Sequence, residues 1–355
     1  MTTLVLHIGS PKAGSSAIQA SLLRARWRGV WCGLPPNPYG KSYPSGFIAG
    51  LYLKPKALPR FLAQRQQQDP DRFAADLTRY RRIVKRIAQP RWRKPPQALV
   101  LSCEYLWRLP QSAVAALRRD FEELGCDRFL IVAYVREPGS LYGSALQQWS
   151  RLSTHLQRFD PLVWRYQMRQ RLLTWQSVFG ESLIVRPFDR KQLLGGCVVR
   201  DFQNQVVRAL VDLPGWPPLK PVADVNRSAT TEELVAMHSI MTHDPQGSVQ
   251  DARSLTHLWD DVTARTAGRG GTPIRVRPEV LQLIRERHQD DLFWLADQYH
   301  VRFSAASSDR EPGEPVPASR SRLAPPIHLM DLIEDPANRE LLADLQDFLR
   351  SRCGC

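Results

Sequence analysis

The chain has 355 residues, enough to bury a large core, and its 49 Lys and Arg against 35 Asp and Glu give a formal charge of +14. This charge favours anionic ligands or an anionic surface, whereas the dispersed basic residues carry no zinc-finger or RNA-binding signature, so no nucleic acid partner is expected. No apolar run approaches the roughly 20 residues that span a bilayer, and the six cysteines are scattered without metal-binding spacing in the body of the chain, which agrees with reduced thiols in cytoplasm.

The first predicted element is a strand that leads directly into a glycine-rich loop. Leu4–Ile8 is an apolar run, Gly9 ends it, and Ser15 begins a helix. N–H groups at such a helix start attract an anion. Gly9 and Gly14 have the G-x-x-x-x-G spacing of nucleotide-hydrolysing enzymes, but Ser15 stands where their lysine follows, and Lys12 precedes the second glycine instead. A plain turn between strand and helix is the alternative.

The loop sequence P-K-A-G-S-S resembles the 5′-phosphosulfate loop of sulfotransferases that use 3′-phosphoadenosine-5′-phosphosulfate (PAPS). The resemblance implies that Lys12 holds the bridging oxygen of the donor and neutralises charge on the departing nucleotide. A solvent-facing lysine is the alternative. The residues implied to bind the 5′-phosphosulfate are Lys12, Ala13, Gly14, Ser15 and Ser16.

Residues 27–96 form a long insertion that is rich in proline, glycine and aromatic residues at its start. Long ordered loops in compact domains are commonly binding or lid elements, so an acceptor-binding role is predicted. Residues 71–88 predict an amphipathic helix. Five aromatic residues either stack on sugar rings of an acceptor or pack the insertion onto the sheet: Trp27, Trp31, Tyr39, Tyr43 and Phe47.

Glu104 follows the next predicted strand, residues 98–102. Its place resembles that of the histidine base in cytosolic sulfotransferases, and carbohydrate-modifying members use a glutamate, so the resemblance implies that Glu104 is the general base. Partial burial would raise its pKa and improve it as a base. A structural ion pair with Arg136 or another cation is the alternative. His7, within the first strand, is predicted to be a buried, hydrogen-bonded residue and not the base.

After a helix predicted from Ser112 to Leu124, the chain has a second unit of strand, turn and helix. Phe129–Val135 is the strand, Arg136 lies at its carboxyl end, and Ser144 falls in the helix that follows. An arginine fork donates paired, charge-assisted hydrogen bonds to phosphate, and a serine hydroxyl adds a neutral donor. The spacing of eight resembles the 3′-phosphate motif of the same sulfotransferases. A solvated arginine is the alternative.

The later elements complete an alternating pattern. Helices are predicted near 138–153 and 160–179, a strand over 182–189, and a crossover helix within 195–210. The expected class is α/β, a three-layer P-loop-type fold with a central, mainly parallel sheet flanked by helices. Both motifs would then lie at carboxyl ends of strands, where open α/β sheets bind ligands.

Asn226, Arg227 and Ser228 precede a helix for which Thr230 or Thr231 is the predicted cap. The triplet resembles an N-x-S element in bacterial sulfotransferases, which implies contact with the phosphate side of the donor. A helix-capping turn is the alternative. A helix is also predicted over 276–299, similar to the final helix of that family.

Composition divides the chain into an α/β domain, residues 1–303, a Pro/Ser-rich linker, residues 304–326, and a C-terminal segment, residues 327–355. Residues 327–350 have helical periodicity, and their apolar face would dock on the domain, a partner chain or a membrane surface. We expect a cytoplasmic protein. If residues 327–350 dock on lipid, we expect it to be peripheral at the inner membrane face.

Taken together, the resemblances imply a PAPS-dependent sulfotransferase that moves a sulfuryl group to a hydroxyl or amine, with a carbohydrate or lipid-linked sugar as acceptor and without a metal. Two alternatives stay open. A P-loop kinase or hydrolase would need the G-K-[ST] lysine and a carboxylate for magnesium, of which the first is absent and the second is not identifiable. A catalytically silent nucleotide- or glycan-binding module would have the same loops.

Overall fold

The computed structural model describes residues 2–25, 30–32, 45–91, 94–209, 218–221, 228–242, 252–304 and 327–353. The strands are β1 (Thr2–His7), β2 (Val30–Cys32), β3 (Ala98–Ser102), β4 (Cys126–Val135) and β5 (Leu183–Pro187). The helices are α1 (Ser15–Arg24), α2 (Ser45–Gly50), α3 (Arg60–Gln68), α4 (Pro70–Ala88), α5 (Gln111–Glu123), α6 (Pro138–Ser150), α7 (Met168–Phe179), α8 (Val198–Ala209), α9 (Thr231–Thr242), α10 (Ala252–Thr266), α11 (Pro278–Arg287), α12 (Gln289–Tyr299) and α13 (Arg339–Cys353).

The described strands form one parallel sheet in the order β2-β3-β1-β4-β5. β1 lies at the centre, where Leu4 pairs with Leu99 of β3 and Phe129 of β4. The predicted α/β class and parallel sheet are confirmed. β2 lies inside the predicted insertion, so the strand at 98–102 is the third along the chain and not the second. Three residues are too few for a recognisable alternation.

Helices cover both faces of the sheet, which explains the continuous apolar runs Leu4–Leu6 in β1 and Phe129–Val135 in β4. Successive strand residues point to opposite faces. On one face, Val5 and Val132 form a core cluster with Ile18 of α1 and Phe202 of α8. On the other face, α5 and α7 pack on each other and on β4. The predicted three-layer arrangement follows from these two helical layers.

Two compact units make up the chain, and each is built from three chain segments. The first unit contains Met1–Glu137, Gln167–Val225 and Asp291–Ser307, and it holds the sheet. The second unit contains Pro138–Tyr166, Asn226–Asp290 and Ser308–Cys355.

A buried carboxylate links three elements of the first unit. Asp201 of α8 is fully buried and accepts a hydrogen bond from the hydroxyl of Tyr134 in β4 at 2.8 Å. Arg186 of β5 donates to both of its oxygens, from Nη2 at 2.6 Å and from Nε at 3.1 Å. The backbone N–H of Leu194 adds a fourth bond at 3.3 Å. Four donors therefore satisfy the buried charge.

The helix expected from residue 160 begins only at Met168. Asp160 caps a turn instead, because its Oδ1 accepts from the N–H of Leu162 at 2.9 Å. Aspartate competes with helix formation through such local bonds, and that competition decides the outcome here.

The helix expected over 276–299 is interrupted at His288, between α11 and α12. Its Nδ1 lies 2.7 Å from the carbonyl oxygen of Ile284, and its Nε2 accepts from the backbone N–H of Tyr166 at 2.9 Å. Tyr166 lies 122 residues away along the chain, so this tertiary contact is invisible in the local periodicity.

The C-terminal segment is part of the second unit, where α13 packs against α9. Leu341, Leu345 and Leu349 are buried in one cluster with Met237 and Ile240 of α9. The apolar face predicted for residues 327–350 is therefore covered within the chain. Among the described helices, none combines the length and apolar character needed to cross a bilayer.

Glu233 and Glu232 organise the start of α9. Thr230 is the N-cap: its N–H donates to Glu233 Oε2 at 2.9 Å, and its Oγ1 accepts from the N–H of Glu233 at 3.3 Å. Glu232, fully buried, accepts from the N–H and hydroxyl of Thr272 at 2.8 and 2.5 Å and from the N–H of Asn338 at 3.0 Å. Asn338 in turn accepts from Leu341 and caps α13.

The insertion contains α2, α3 and α4, and α4 matches the helix predicted over 71–88. Phe47 is buried and stacks on Tyr80 of α4, with ring centroids 5.9 Å apart, so packing is its role. Only the backbone of Trp31 is described. Three of the predicted aromatic residues lie outside the described residues: Trp27, Tyr39 and Tyr43.

Candidate functional site

The glycine-rich loop lies at a point where the strand order reverses. From β1 the chain goes on to β2 and β3 on one side of β1 and later to β4 on its other side. Open α/β sheets bind ligands at such a point, at the carboxyl ends of the strands. The loop that follows β1 occupies this position.

Three residues of the loop have positive φ angles: Gly9 at 33°, Lys12 at 59° and Gly14 at 80°. Glycine adopts this conformation readily, whereas it costs lysine about 1 kcal/mol. A Cβ atom on Gly14 would lie only 2.8 Å from side-chain atoms of Phe188 and Val198. The loop is thus curved, it packs tightly against Phe188 and Val198 at Gly14, and its backbone is strained at Lys12.

The loop ends at the N-terminus of α1, whose first N–H groups have no acceptor within the helix. The N-cap, Gly14, offers no side chain to them. Ser15 is 4% exposed, and its Oγ has no hydrogen-bond partner in the described part of the chain. Ser16 is exposed, and Ala13 is buried. Positive helix dipole and unpaired donors together favour an anion here.

Arg136 brings the two predicted motifs together. Its Nη1 donates to the carbonyl oxygen of Lys12 at 2.9 Å, and its guanidinium carbon lies 5.7 Å from the ring centroid of Phe188. The same ring blocks the Cβ position of Gly14. Phe188 was not among the predicted site residues. The available signal was its place directly after β5, because the carboxyl ends of parallel strands share one edge of the sheet.

Glu104 begins a short 3-10 turn, Glu104–Arg108, directly after β3. It is half-buried, and burial raises the pKa of its carboxyl group, while the ammonium of Lys12 and the guanidinium of Arg108 oppose the rise. The predicted direction of the pKa shift is confirmed. The charge of the exposed Lys12 therefore acts on the carboxyl group of Glu104. The guanidinium of Arg136, the ion-pair partner named above as an alternative, donates to the carbonyl oxygen of Lys12. Arg108, like Phe188, was not among the predicted site residues.

His7 is fully buried at the end of β1, as predicted. Its Nδ1 lies 2.7 Å from Ser102 Oγ at the end of β3, and its ring contacts those of Tyr134 and Phe202. Burial lowers the pKa of His7 to about 3, so the ring is neutral at physiological pH.

The remaining predicted residues belong to the second unit. Ser144 is half-buried on α6, and Ser228 is exposed just before α9. Asn226 and Arg227 lie outside the described residues. A role for these four residues in binding the donor stays a prediction.

The first unit thus surrounds one loop with an ammonium, a guanidinium and helix N–H groups, and it adds a half-buried carboxyl group that Lys12 influences. The cationic groups can stabilise a bound anion, and the carboxyl group can accept a proton. No protein-family model matches the chain, and no curated protein matches its sequence significantly.

Proposed function

We propose that this protein is a sulfotransferase that transfers a sulfuryl group from PAPS to a hydroxyl or amine of a carbohydrate or lipid-linked sugar. The observation that carries the proposal is the bond between Arg136 and the carbonyl of Lys12, because it joins two motifs 124 residues apart that resemble the two phosphate-binding motifs of one family. The unpaired Ser15 hydroxyl at the same helix start supports an anionic ligand.

In this reaction, the acceptor oxygen or nitrogen attacks sulfur in line with the bond between sulfur and the bridging oxygen. That bond breaks, and its electron pair stays on the bridging oxygen, which becomes part of the 5′-phosphate of the departing nucleotide. Lys12 balances the charge that develops there, and the N–H groups at the start of α1 bind the phosphate oxygens. Positioning and charge stabilisation account for most of the catalysis.

Glu104 accepts the proton of the attacking group in this proposal. A raised pKa brings a carboxyl group nearer to the operating pH, which makes it a better base. The influence of Lys12 on the pKa of the same carboxyl group supports this pairing of base and charge-stabilising cation. Arg136 binds the 3′-phosphate in this proposal, and a part for Ser144, Asn226, Arg227 and Ser228 in binding the donor stays a prediction.

Calorimetric titration with 3′-phosphoadenosine-5′-phosphate and with ATP tests donor recognition. The 3′-phosphorylated nucleotide binds and ATP binds poorly, because ATP lacks the 3′-phosphate that Arg136 recognises. Arg136→Ala weakens binding of the 3′-phosphorylated nucleotide about ten- to a hundredfold, the effect of losing one charge-assisted contact. Arg119→Ala, which removes an exposed arginine from α5, is the matched control and leaves both affinities unchanged.

Equal affinity for the two nucleotides contradicts the proposal and favours an ordinary P-loop nucleotide site. Transfer from radiolabelled PAPS to a panel of saccharide and lipid-linked acceptors then separates an enzyme from a silent binding module. Selective nucleotide binding without transfer to any acceptor would leave only the binding function.

A further inference from the structure

A buried polar contact beneath the loop is left incomplete among the described residues. His7 Nε2 and Ser15 Oγ both lack a hydrogen-bond partner there, although His7 is fully buried and Ser15 is 4% exposed. Buried polar atoms are normally paired, so two orphans in one place call for an explanation.

Both orphan atoms lie against the same face of Gly9. The position that a Cβ atom of Gly9 would occupy is 2.6 Å from Ser15 Oγ and 3.0 Å from His7 Nε2. Glycine therefore leaves the space across which the ring and the hydroxyl approach one another. Rotation about the Cβ–Oγ bond of Ser15 sets whether its hydroxyl hydrogen points toward the ring or into the loop.

The far side of the ring is already engaged. Nδ1 of His7 lies 2.7 Å from Ser102 Oγ, which is itself buried. Tyr134 and Phe202 contact the ring, with centroids 5.8 and 5.6 Å from that of His7, and restrict its orientation. A neutral imidazole carries one N–H, so the proton on one nitrogen determines what the other nitrogen can do.

Two proton arrangements satisfy both orphans. If Nδ1 carries the proton, Ser15 donates to Nε2 and turns oxygen lone pairs toward any anion in the loop, which is repulsive. If Nε2 carries the proton, Ser102 donates to Nδ1, Nε2–H donates to Ser15, and the Ser15 hydroxyl proton is left for the anion. The second arrangement points every donor toward the anion, and hydrogen bonds in such a chain reinforce one another.

We propose that His7 is a positioning residue of the anion site, with its Nε2–H donating to Ser15 Oγ so that the Ser15 hydroxyl donates to an oxygen of the bound phosphate. The inference rests on the anion site of the proposed function, but it does not depend on sulfuryl transfer. It assigns His7, Ser102 and Ser15 to one donor chain from β3 to the loop.

Nitrogen-15 NMR of histidine-labelled protein reads the tautomer directly. The His7 resonances, assigned by their loss in His7→Gln, show a neutral ring protonated at Nε2 throughout pH 5 to 8. Added 3′-phosphoadenosine-5′-phosphate shifts the Nε2 resonance without changing the tautomer. A ring protonated at Nδ1 in the bound protein overturns the proposal.

Two substitutions at position 7 separate positioning from packing. Gln places an amide N–H near the former Nε2 position, whereas Asn reaches only the former Nδ1 position and keeps the Ser102 partner. His7→Gln retains affinity for 3′-phosphoadenosine-5′-phosphate and for inorganic pyrophosphate within about threefold, and His7→Asn weakens both about tenfold. Equal loss in the two variants overturns the proposal.

A double-mutant cycle with Ser15→Ala completes the test. Once the hydroxyl is gone, His7→Asn weakens binding no further, whereas an additive loss overturns the proposal. Should the Asn variant not fold, the tautomer of the wild-type ring decides alone. If pyrophosphate binds and 3′-phosphoadenosine-5′-phosphate does not, the proposed donor is wrong. The role of His7 is then still measured with pyrophosphate.

Discussion

Lys12 combines an exposed ammonium with a left-handed backbone, and the two properties can be tested separately. Lys12→Ala and Lys12→Gly both remove the ammonium, so under the proposed function both abolish most sulfate transfer while nucleotide binding is partly retained through the backbone of α1. Only glycine relieves the backbone strain, so the Gly variant is about 1 kcal/mol more stable than the Ala variant. Steady-state kinetics and chemical denaturation measure the two effects. A rise in KM alone would indicate a pure binding role.

Glu104→Gln lowers kcat about a hundredfold or more if Glu104 is the base, while donor binding is unchanged. Because burial raises the pKa of Glu104, kcat/KM of the native enzyme falls as pH drops through a value above the ordinary glutamate range. A raised folded-state pKa also means that the charged form is disfavoured by folding, so the neutral variant melts at the same or a higher temperature. A large fall in melting temperature would instead indicate a structural ion pair.

The site residues that belong to one short sequence motif were predictable. The site residues that the order of the strands brings to the loop were not. Gly9, Lys12 and Gly14 lie within six residues, so their pattern is visible in the sequence. Phe188 and Arg108 reach the site from β5 and from the turn after β3. Their part in it depends on which strands are neighbours, and no local pattern gives that order.

At the scale of the elements, Asp201 of α8 accepts the hydrogen bonds that join this helix to β4 and β5. Asp201→Ala leaves the Arg186 guanidinium and the Tyr134 hydroxyl without their acceptor, which costs about 3–5 kcal/mol of stability. Glu122→Ala is the control, because its ion pair with Arg118 has a similar 2.8 Å distance but is exposed, and it costs under about 1 kcal/mol. Calorimetric melting of both variants decides, and equal losses would contradict the prediction.

Glu232 anchors the start of α13. Burial alone would raise its pKa, but the hydrogen bonds from Thr272 and Asn338 outweigh burial and lower it. The carboxylate therefore stabilises the second unit above the ordinary glutamate pKa, near 4.3, and this contribution is lost as pH falls through the lowered folded-state value. Glu232→Ala speeds hydrogen exchange in α13 at pH 7. Glu340→Gln, in the exposed first turn of α13, does not.

Element types were predictable from periodicity, but some limits were not. The capping pair Thr230 and Glu233 is a local signal, and α9 begins where it predicts. Asp160 makes a side-chain turn where a helix was expected to begin, and a distant backbone donor binds His288 where a helix is interrupted. Neither effect changes the hydrophobic period, so helices predicted from periodicity included both positions.

At the scale of the whole molecule, alternating strands and helices were sufficient to predict an α/β fold with a parallel sheet. The strand order β2-β3-β1-β4-β5 and the membership of each compact unit were not predictable in the same way. Both depend on contacts between residues far apart in sequence, whose formation is decided by loop closure and burial and not by local propensity.

The interleaving of the two units governs the order in which the molecule can be completed during synthesis. After β4, the chain contributes α6 to the second unit before it returns with α7, β5 and α8 to finish the sheet. A nascent chain that has made β1 to β4 and α6 therefore displays apolar surface on α6 whose partners, α9 and α11, are still to be translated. Such intermediates are natural clients of chaperones. No continuous fragment contains one complete unit without residues of the other, and a chain that ends within Gln167–Val225 leaves both units incomplete.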